Sequence, residues 1–407
     1  MHILFITDNF PPEGNAPATR TFEHAREWVL KGNNVTVITC APNFPEGKLF
    51  KGYENKWLSK QIVEGINVWR VKTYITANEG FVKRTIDFVS FMVSSFFFGM
   101  FVRKVDVVVG TSPQFFTVIS AWALARSKRV PFVFELRDIW PASITAVGAM
   151  RANRVIDTLE KLELFLYHQA DLIIAVTHSF KSDLHGRGVS TDKIKVVLNG
   201  VDLGKYKPLN EKDREFSEKY QLQGKFVAGY IGTHGLAHAL DSIIEAAELL
   251  KDEDTIRILF AGGGTDRARL EKLVENRGLS NVVMIPRQPK EQMQRIWSLC
   301  DVSLVSLKDT PLFSTVIPSK IFESMAMKLP IVMSVPVGEA TDIVRVENAG
   351  LIVPPENPAK LVEAILLIKN NNSLLSKLAS NSLLAASKFN RKKLATEMLN
   401  HIEDELN

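Results

Sequence analysis

Cysteine is almost missing: 407 residues carry two, Cys40 and Cys300, far apart and in no metal-ligand spacing. No zinc site is readable, and two reduced, buried thiols are the expectation, with a structural pair as the alternative. The first apolar run, Ile3-Leu4-Phe5-Ile6, has no basic stretch before it and is too short for a secretory leader. It reads as a first strand, and the expected location is the cytoplasm. No repeat or low-complexity tract appears apart from the short Asn370-Asn371-Asn372 turn. Charge of one sign is scarce too, because 50 Lys and Arg face 45 Asp and Glu for a net +5. The basic residues are dispersed rather than striped on one face, which disfavours a nucleic-acid surface.

What is present is the composition of an ordinary globular chain, 46% hydrophobic and 23% charged, at a length that implies two domains. Short apolar runs bounded by turn residues alternate with helix-length amphipathic stretches, the pattern of parallel strands covered on both faces by crossover helices. The first half offers Ile3–Thr7, Val35–Thr39, Val68–Val71, Val105–Gly110, Phe132–Leu136, Leu172–Val176 and Lys195–Leu198. The second offers Val227–Ile231, Ile256–Ala261, Val282–Ile285, Val302–Val305, Ile331–Ser334 and Leu351–Val353. The fold class is therefore α/β, with two Rossmann-like, doubly wound parallel sheets in series. Asn199-Gly200-Val201-Asp202 and the charged stretch after it place the crossing near 205, giving domains 1–205 and 206–385. A final segment, 386–407, carries Leu394, Met398, Ile402 and Leu406 at fourfold spacing and reads as a helix able to pack back on the first domain.

One segment breaks the alternation. Phe81 to Lys104 is an aromatic run that includes Phe96, Phe97 and Phe98, closed by the basic pairs Lys83-Arg84 and Arg103-Lys104. Its uncharged part, Phe88 to Val102, would be about 22 Å long as a helix, short of the roughly 30 Å hydrocarbon core. A helix lying in the membrane interface fits, as does a core helix packed on the sheet.

Several strand ends carry chemistry. Gly14, in the turn after the first strand, allows close approach of backbone to a phosphate. No G-x-G-x-x-G follows that strand, which disfavours a dinucleotide domain. Arg137 and Asp138 follow Phe132–Leu136 and suit a sugar or phosphate site, or a structural pair fixing a loop. In the second half, Gly232-Thr233-His234 and Gly262-Gly263-Gly264 end strands expected to be neighbours, so their amides converge on a diphosphate unless the glycines serve only as turns. In Thr315-Val316-Ile317-Pro318-Ser319-Lys320-Ile321-Phe322-Glu323, Ser319 and Lys320 begin a helix facing a phosphate. Glu323 then accepts both ribose hydroxyls, or else only caps the first turn.

At these residues the chain resembles the retaining glycosyltransferase family 4, of the two-Rossmann-domain GT-B architecture. The resemblance rests on Pro11-Pro12-Glu13-Gly14, Asn199-Gly200-Val201-Asp202, the Gly262 turn, and the Glu323 helix followed by Pro330-Ile331-Val332, and it spans essentially the whole chain. It implies a nucleotide-sugar donor held by the second domain, an acceptor held by the first, no metal or other cofactor, and retained anomeric configuration. The family's paired glutamates fall on Thr315 and Glu323, and its Arg and Lys after the first strand of the second domain fall on Thr233 and His238. Lys320 is then the substitute cation, with Arg137 or Arg287 closing from other loops. The Pro-Ser-Lys-x-x-Glu form is similar to a branch of bacterial O-antigen and capsule enzymes that includes L-fucosaminyltransferases. That likeness implies a UDP-linked donor, an acceptor sugar on a polyprenyl diphosphate, and peripheral contact with the inner face of the membrane.

Asp252-Glu253-Asp254 has the letters of a metal-binding Asp-x-Asp but lies in a polar turn, so leaving-group charge falls to protein groups, with Lys320 foremost and Asp138 positioning acceptor or sugar. A sugar-nucleotide 2-epimerase of the same fold is the rival enzyme. A two-lobed sugar-binding protein without turnover is the rival outside catalysis.

Overall fold

The computed structural model describes residues 1–44, 46–76, 81–139 and 154–406. Within them the first sheet is built from β1 (His2–Ile6), β2 (Asn34–Cys40), β3 (Leu58–Val63), β4 (Ile66–Val71), β5 (Val107–Thr111), β6 (Phe132–Leu136), β7 (Leu172–Ala175) and β8 (Ile194–Val196). Their order is β3-β4-β2-β1-β5-β6-β7-β8. The second sheet is built from β9 (Phe226–Thr233), β10 (Ile256–Gly263), β11 (Val282–Pro286), β12 (Val302–Ser306), β13 (Ile331–Ser334) and β14 (Gly350–Val353), in the order β11-β10-β9-β12-β13-β14. Every strand but one runs parallel to its neighbours, and these are the apolar runs the sequence shows, shifted by a residue or two at their ends. The exception is β3, which alternates half-buried and exposed residues and pairs antiparallel with β4. Glu64 and Gly65 join the two with φ of 47° and 83°, the left-handed pair that a type I′ hairpin turn requires.

The chain divides into two compact units, residues 1–198 with 391–407, and residues 199–390. The crossing expected near 205 thus comes at Leu198, where the Arg20 guanidinium donates to the carbonyls of Leu198 and Val197 at 2.9 and 3.1 Å. The last helix starts later than 386: Phe389 still stacks on Phe322 of the second unit at 4.7 Å, and the helix Arg391–Leu406 belongs to the first. Leu394, Met398, Leu399 and Ile402 complete the apolar layer that Phe5, Phe10, Trp28 and the β2 valines begin. Trp28 donates to the Ala395 carbonyl at 2.8 Å, and Arg391 pairs with Glu23 at 3.0 Å. Cys40 and Cys300 are both buried and unpaired.

In the first unit α1 (Ala16–Leu30) begins at Asn15, whose side chain accepts from the Ala18 amide, with Pro17 inside the first turn. The aromatic segment forms α2 (Phe81–Gly99) and packs along α3 (Phe115–Lys128). Ser95 meets Ser120 at 2.7 Å, and a Cβ on Gly99 would fall 2.6 Å from Leu124. Small residues let the helices close on each other. The Lys128 ammonium then satisfies the Met100 and Val102 carbonyls beyond the helix end.

The outward orientation expected of Phe96, Phe97 and Phe98 is corrected for two of them. Phe96 and Phe98 pack on the core, and Phe97 is the one that faces solvent. At helical spacing it joins Val82, Ile86 and Val93, with Met100 and Phe101 beyond the helix end, in an exposed apolar stripe. Lys83, Arg103 and Lys104 are exposed beside it, while the Arg84 guanidinium lies over the Phe88 ring at 5.3 Å and feels the carboxylates of Asp8 and Asp87. Phe81 opens the helix, and its side chain lies outside the described residues. Among the described residues no helix is long and apolar enough to cross a membrane.

Candidate functional site

Doubly wound sheets bind ligands outside the carboxyl ends of their strands, where the winding direction reverses. In the second unit that point lies between β9 and β12, since β9 pairs with β10 on one side and β12 on the other. The strands leading there run on into the glycine segments, pairing Gly232 with Gly262 and Thr233 with Gly263. The backbones approach so closely that a Cβ on Gly262, where φ is 147°, would stand 1.9 Å from the Gly232 carbonyl oxygen. The triple glycine therefore serves a strand contact as well as a turn. Arg267, which the sequence reading passed over, holds it in place by donating to the carbonyls of Gly262 and Ile285 at 2.7 and 2.9 Å.

Lys320 comes to the same strand end on the helix Lys320–Ala326 that follows β12. Ser324 anchors this helix, its hydroxyl donating to Ser303 of β12 at 2.7 Å. Lys320 is 7% exposed, and its Nζ lies 3.4 Å from the Tyr230 ring centroid. Gly232 leaves room for it: a Cβ there would stand 3.3 Å from Nζ. Among the described residues Nζ has no hydrogen-bond partner. Burial brings this amine down to about 7, against the pull of Glu323 one turn along.

His234 is fully buried, and among the described residues neither of its ring nitrogens has a hydrogen-bond partner. Burial, then the charges of Arg267 and Lys320, hold it down to about 4, so it is neutral at ordinary pH. His238 is held to about 3 by burial and Lys320. Thr233 is exposed at the strand end, and its carbonyl accepts from the Tyr230 hydroxyl at 2.7 Å. Gly264 packs against the His234 backbone, and Arg287 is exposed beside Gly263.

Ser319 precedes the helix without a side-chain capping bond, and Glu323 is half-buried within it. Thr315 ends a short 3-10 turn, Pro311–Thr315, and donates to the Leu312 carbonyl. Asp252-Glu253-Asp254 is exposed, as expected of a solvated turn.

In the first unit the reversal lies between β1 and β5, and the loops after them carry Asp8, Gly14 and Ser112. Glu13 organises this end: its carboxylate, 2% exposed, accepts from the amides of Phe10, Asn43 and Phe44. Burial pushes it up to about 7 despite those bonds. Gly14 beside it is legible as a turn glycine, whereas nothing local marks Glu13 as the acceptor for three amides.

Arg137 donates its backbone amide to Ser112 and its Nη1 to the Pro17 carbonyl at 3.3 Å, and among the described residues its Nε has no partner. Its neighbours are Glu135, Arg20 and Arg391, and burial lowers it to about 10. Glu135 is its electrostatic counterpart within this buried cluster. Ser112 also binds the amide and carbonyl of Asp138. Trp140 and Pro141 of the same motif lie outside the described residues.

Lys320, Ser319, Glu323 and the glycine segments thus share one strand end of the second unit, and Arg137, Asp138 and Gly14 belong to the first. Among the described residues no three His, Cys, Asp or Glu side chains are grouped as metal ligands.

Two family models match the chain. Residues 18–205 match the one described as Glycosyltransferase Family 4, and residues 211–383 the one described as Glycosyl transferases group 1. Among curated proteins, the chain is 27% identical over 335 residues to WcaI of Escherichia coli, named for a colanic acid biosynthesis glycosyl transferase, covering 80% of this chain and 81% of that one. It is 24% identical over 267 residues to WbjE of Pseudomonas aeruginosa, named for a glycosyltransferase, covering 65% and 66%. Among solved structures, a sucrose-phosphate synthase from Thermosynechococcus elongatus superposes with a TM-score of 0.81 at 16% identity, over 99% of this chain and 98% of that one. HepE of Anabaena, in complex with UDP and glucose, gives 0.75 at 16% identity over 98% and 99%.

Proposed function

Because the chain is a glycosyltransferase of the GT-B fold, similar along both units to family 4 and group 1 enzymes, we propose that it builds a bacterial surface polysaccharide from a nucleotide-sugar donor. In this reading the donor is UDP-linked, with an N-acetyl-6-deoxyhexosamine such as N-acetyl-L-fucosamine as its sugar. The acceptor is a saccharide on polyprenyl diphosphate at the inner face of the membrane. Transfer retains the anomeric configuration and needs no metal.

The observation that carries the proposal is the buried, unpartnered Lys320 amine at the strand end where Gly232 and Gly262 meet. A diphosphate there gains a nearby cation in a low-dielectric setting, where charge stabilisation is strong. As the sugar–phosphate bond breaks, the Lys320 ammonium offsets the negative charge gathering on the leaving oxygen. The acceptor hydroxyl attacks from the same face and passes its proton to that departing phosphate, so no protein nucleophile enters. Names of relatives support the pathway class: WcaI is named for colanic acid biosynthesis.

A thermal-shift screen against UDP, GDP, TDP and their sugars in EDTA tests the donor assignment. A shift with one diphosphate that survives EDTA is expected, and no shift with any of them would remove the reading. Glu323→Ala is expected to weaken binding of that diphosphate about 10- to 100-fold, roughly 1.4–2.8 kcal/mol, with the melting temperature of the free protein unchanged. Lost stability with normal affinity would make Glu323 a helix cap.

The membrane half of the proposal rests on the apolar stripe of α2 and the basic residues beside it. Replacing Val93, Phe97 and Phe101 together by Ser is expected to cut the fraction sedimenting with anionic liposomes at least tenfold, without a change in melting temperature. Unchanged sedimentation would sink the membrane assignment.

A further inference from the structure

The Lys320 amine is enclosed by groups that give it no hydrogen bond and little countercharge. From β9 come the Tyr230 ring, 3.4 Å from Nζ, and the bare backbone of Gly232. From the segment after β9 come His234 and His238, whose imidazoles are neutral at ordinary pH. Asp266 and Arg267, at the head of the helix Arg267–Asn276, act on His234 with opposite signs, and the Ser306 backbone at the end of β12 acts on His238. Glu323, half-buried on Lys320's own helix, is the anion that acts on the amine.

An ammonium in this enclosure has lost its water and recovers part of that loss from the aromatic face of Tyr230. A diphosphate changes the balance, because its negative charges arrive within a few ångströms in a poorly screened place. We propose that the nucleoside diphosphate draws a proton from solvent onto Lys320 as it binds, and that the proton returns to solvent when the nucleoside diphosphate leaves after transfer. This rests on the nucleotide reading of the site. For Lys320 the balance is at most one proton taken up as the ligand binds and the same proton returned when it leaves, separate from the acceptor-hydroxyl proton that departs on the phosphate.

His234 and His238 do not supply this proton: to give one up each must first be charged, and burial together with Lys320 holds both neutral. By linkage, affinity falls as pH rises wherever the complex holds one more proton than its free components. The free amine, lowered to about 7, puts the start of that fall near neutrality. Affinity for UDP is therefore expected to drop up to tenfold between pH 8 and pH 9.

The test is isothermal titration of the full chain with UDP, and with GDP and TDP in turn, at pH 8.0 in two buffers of very different ionisation heat. The expected result is a heat difference equivalent to half to one proton taken up per nucleotide. Lys320→Arg, which keeps a charge that does not titrate in this range, is expected to bind with no buffer-dependent heat. Equal heats for the wild-type chain in both buffers would overturn the proposal, as would proton uptake that persists in Lys320→Arg. Absence of binding by all three nucleotides would instead bring down the nucleotide reading, and this proposal with it.

Discussion

Alanine at Gly262 is expected to destabilise the second unit by about 3 kcal/mol or more and to lower nucleotide affinity at least 100-fold. The added Cβ would stand 1.9 Å from the Gly232 carbonyl oxygen and 2.9 Å from its carbon, both backbone atoms that no rotamer change can move aside. A φ of 147° strains any residue with a side chain at this position as well. Relief requires β9 and β10 to separate, which moves Gly232 away from Lys320 and draws the Gly262 carbonyl from Arg267. Urea unfolding together with a nucleotide titration reads both consequences. Wild-type values in both would mean that the glycine segment can relax without disturbing the site.

The other large effect is expected in the first unit. Arg20 and Glu135 pair at 2.7 Å with side chains 1% exposed, and Arg20 also holds the last carbonyls before the chain crosses over. Arg20→Met leaves Glu135 buried without its partner and is expected to cost about 3–5 kcal/mol at pH 7. Burial pushes the Glu135 carboxyl up, but Arg20 and Arg137 beside it more than offset this and keep it below the usual range. In the wild type its contribution is present above the unfolded carboxylate range and is lost as pH falls through the folded value. Without Arg20 burial prevails, the folded value rises above the unfolded one, and the penalty is relieved as pH falls. The stability gap between variant and wild type should therefore narrow from pH 7 toward pH 4.5. Arg20→Met combined with Glu135→Leu should recover more than half of the loss at pH 7; a double variant as unstable as the single one would place the defect in the lost bonds to Leu198 and Val197.

Sequence carried most of the fold because strands buried on both faces must be apolar throughout, as Ile3-Leu4-Phe5-Ile6 and Val107-Val108-Val109 are. It carried β3 poorly, since Leu58-Ser59-Lys60-Gln61-Ile62-Val63 is covered on one side and borrows its register from β4. At the site, glycine, lysine and glutamate were legible as residue types, but not what confines them. That Lys320 lies under an aromatic ring without a bonding partner depends on Tyr230, ninety positions earlier. The buried pair of Arg20 and Glu135 spans 115 positions, with nothing local to mark it. The aromatic run of α2 announced an unusual helix. Which of its rings turn inward was set by the small residues facing α3, a matter of contact rather than composition.

The first unit draws its final helix from the far end of the chain, and this orders events on the ribosome. Residues 1–198 emerge with the Trp28 indole and the β1–β2 apolar layer still uncovered, because Arg391–Leu406 is translated after all of residues 199–390. At roughly 5–20 residues per second the wait is about 10–40 s. During it the nascent first unit exposes a sticky, half-finished surface while the second unit can already close on itself. A stop codon shortly before Arg391 would for the same reason strike the domain made first, and its product should be recognised by chaperones and proteases as an unfinished amino-terminal half.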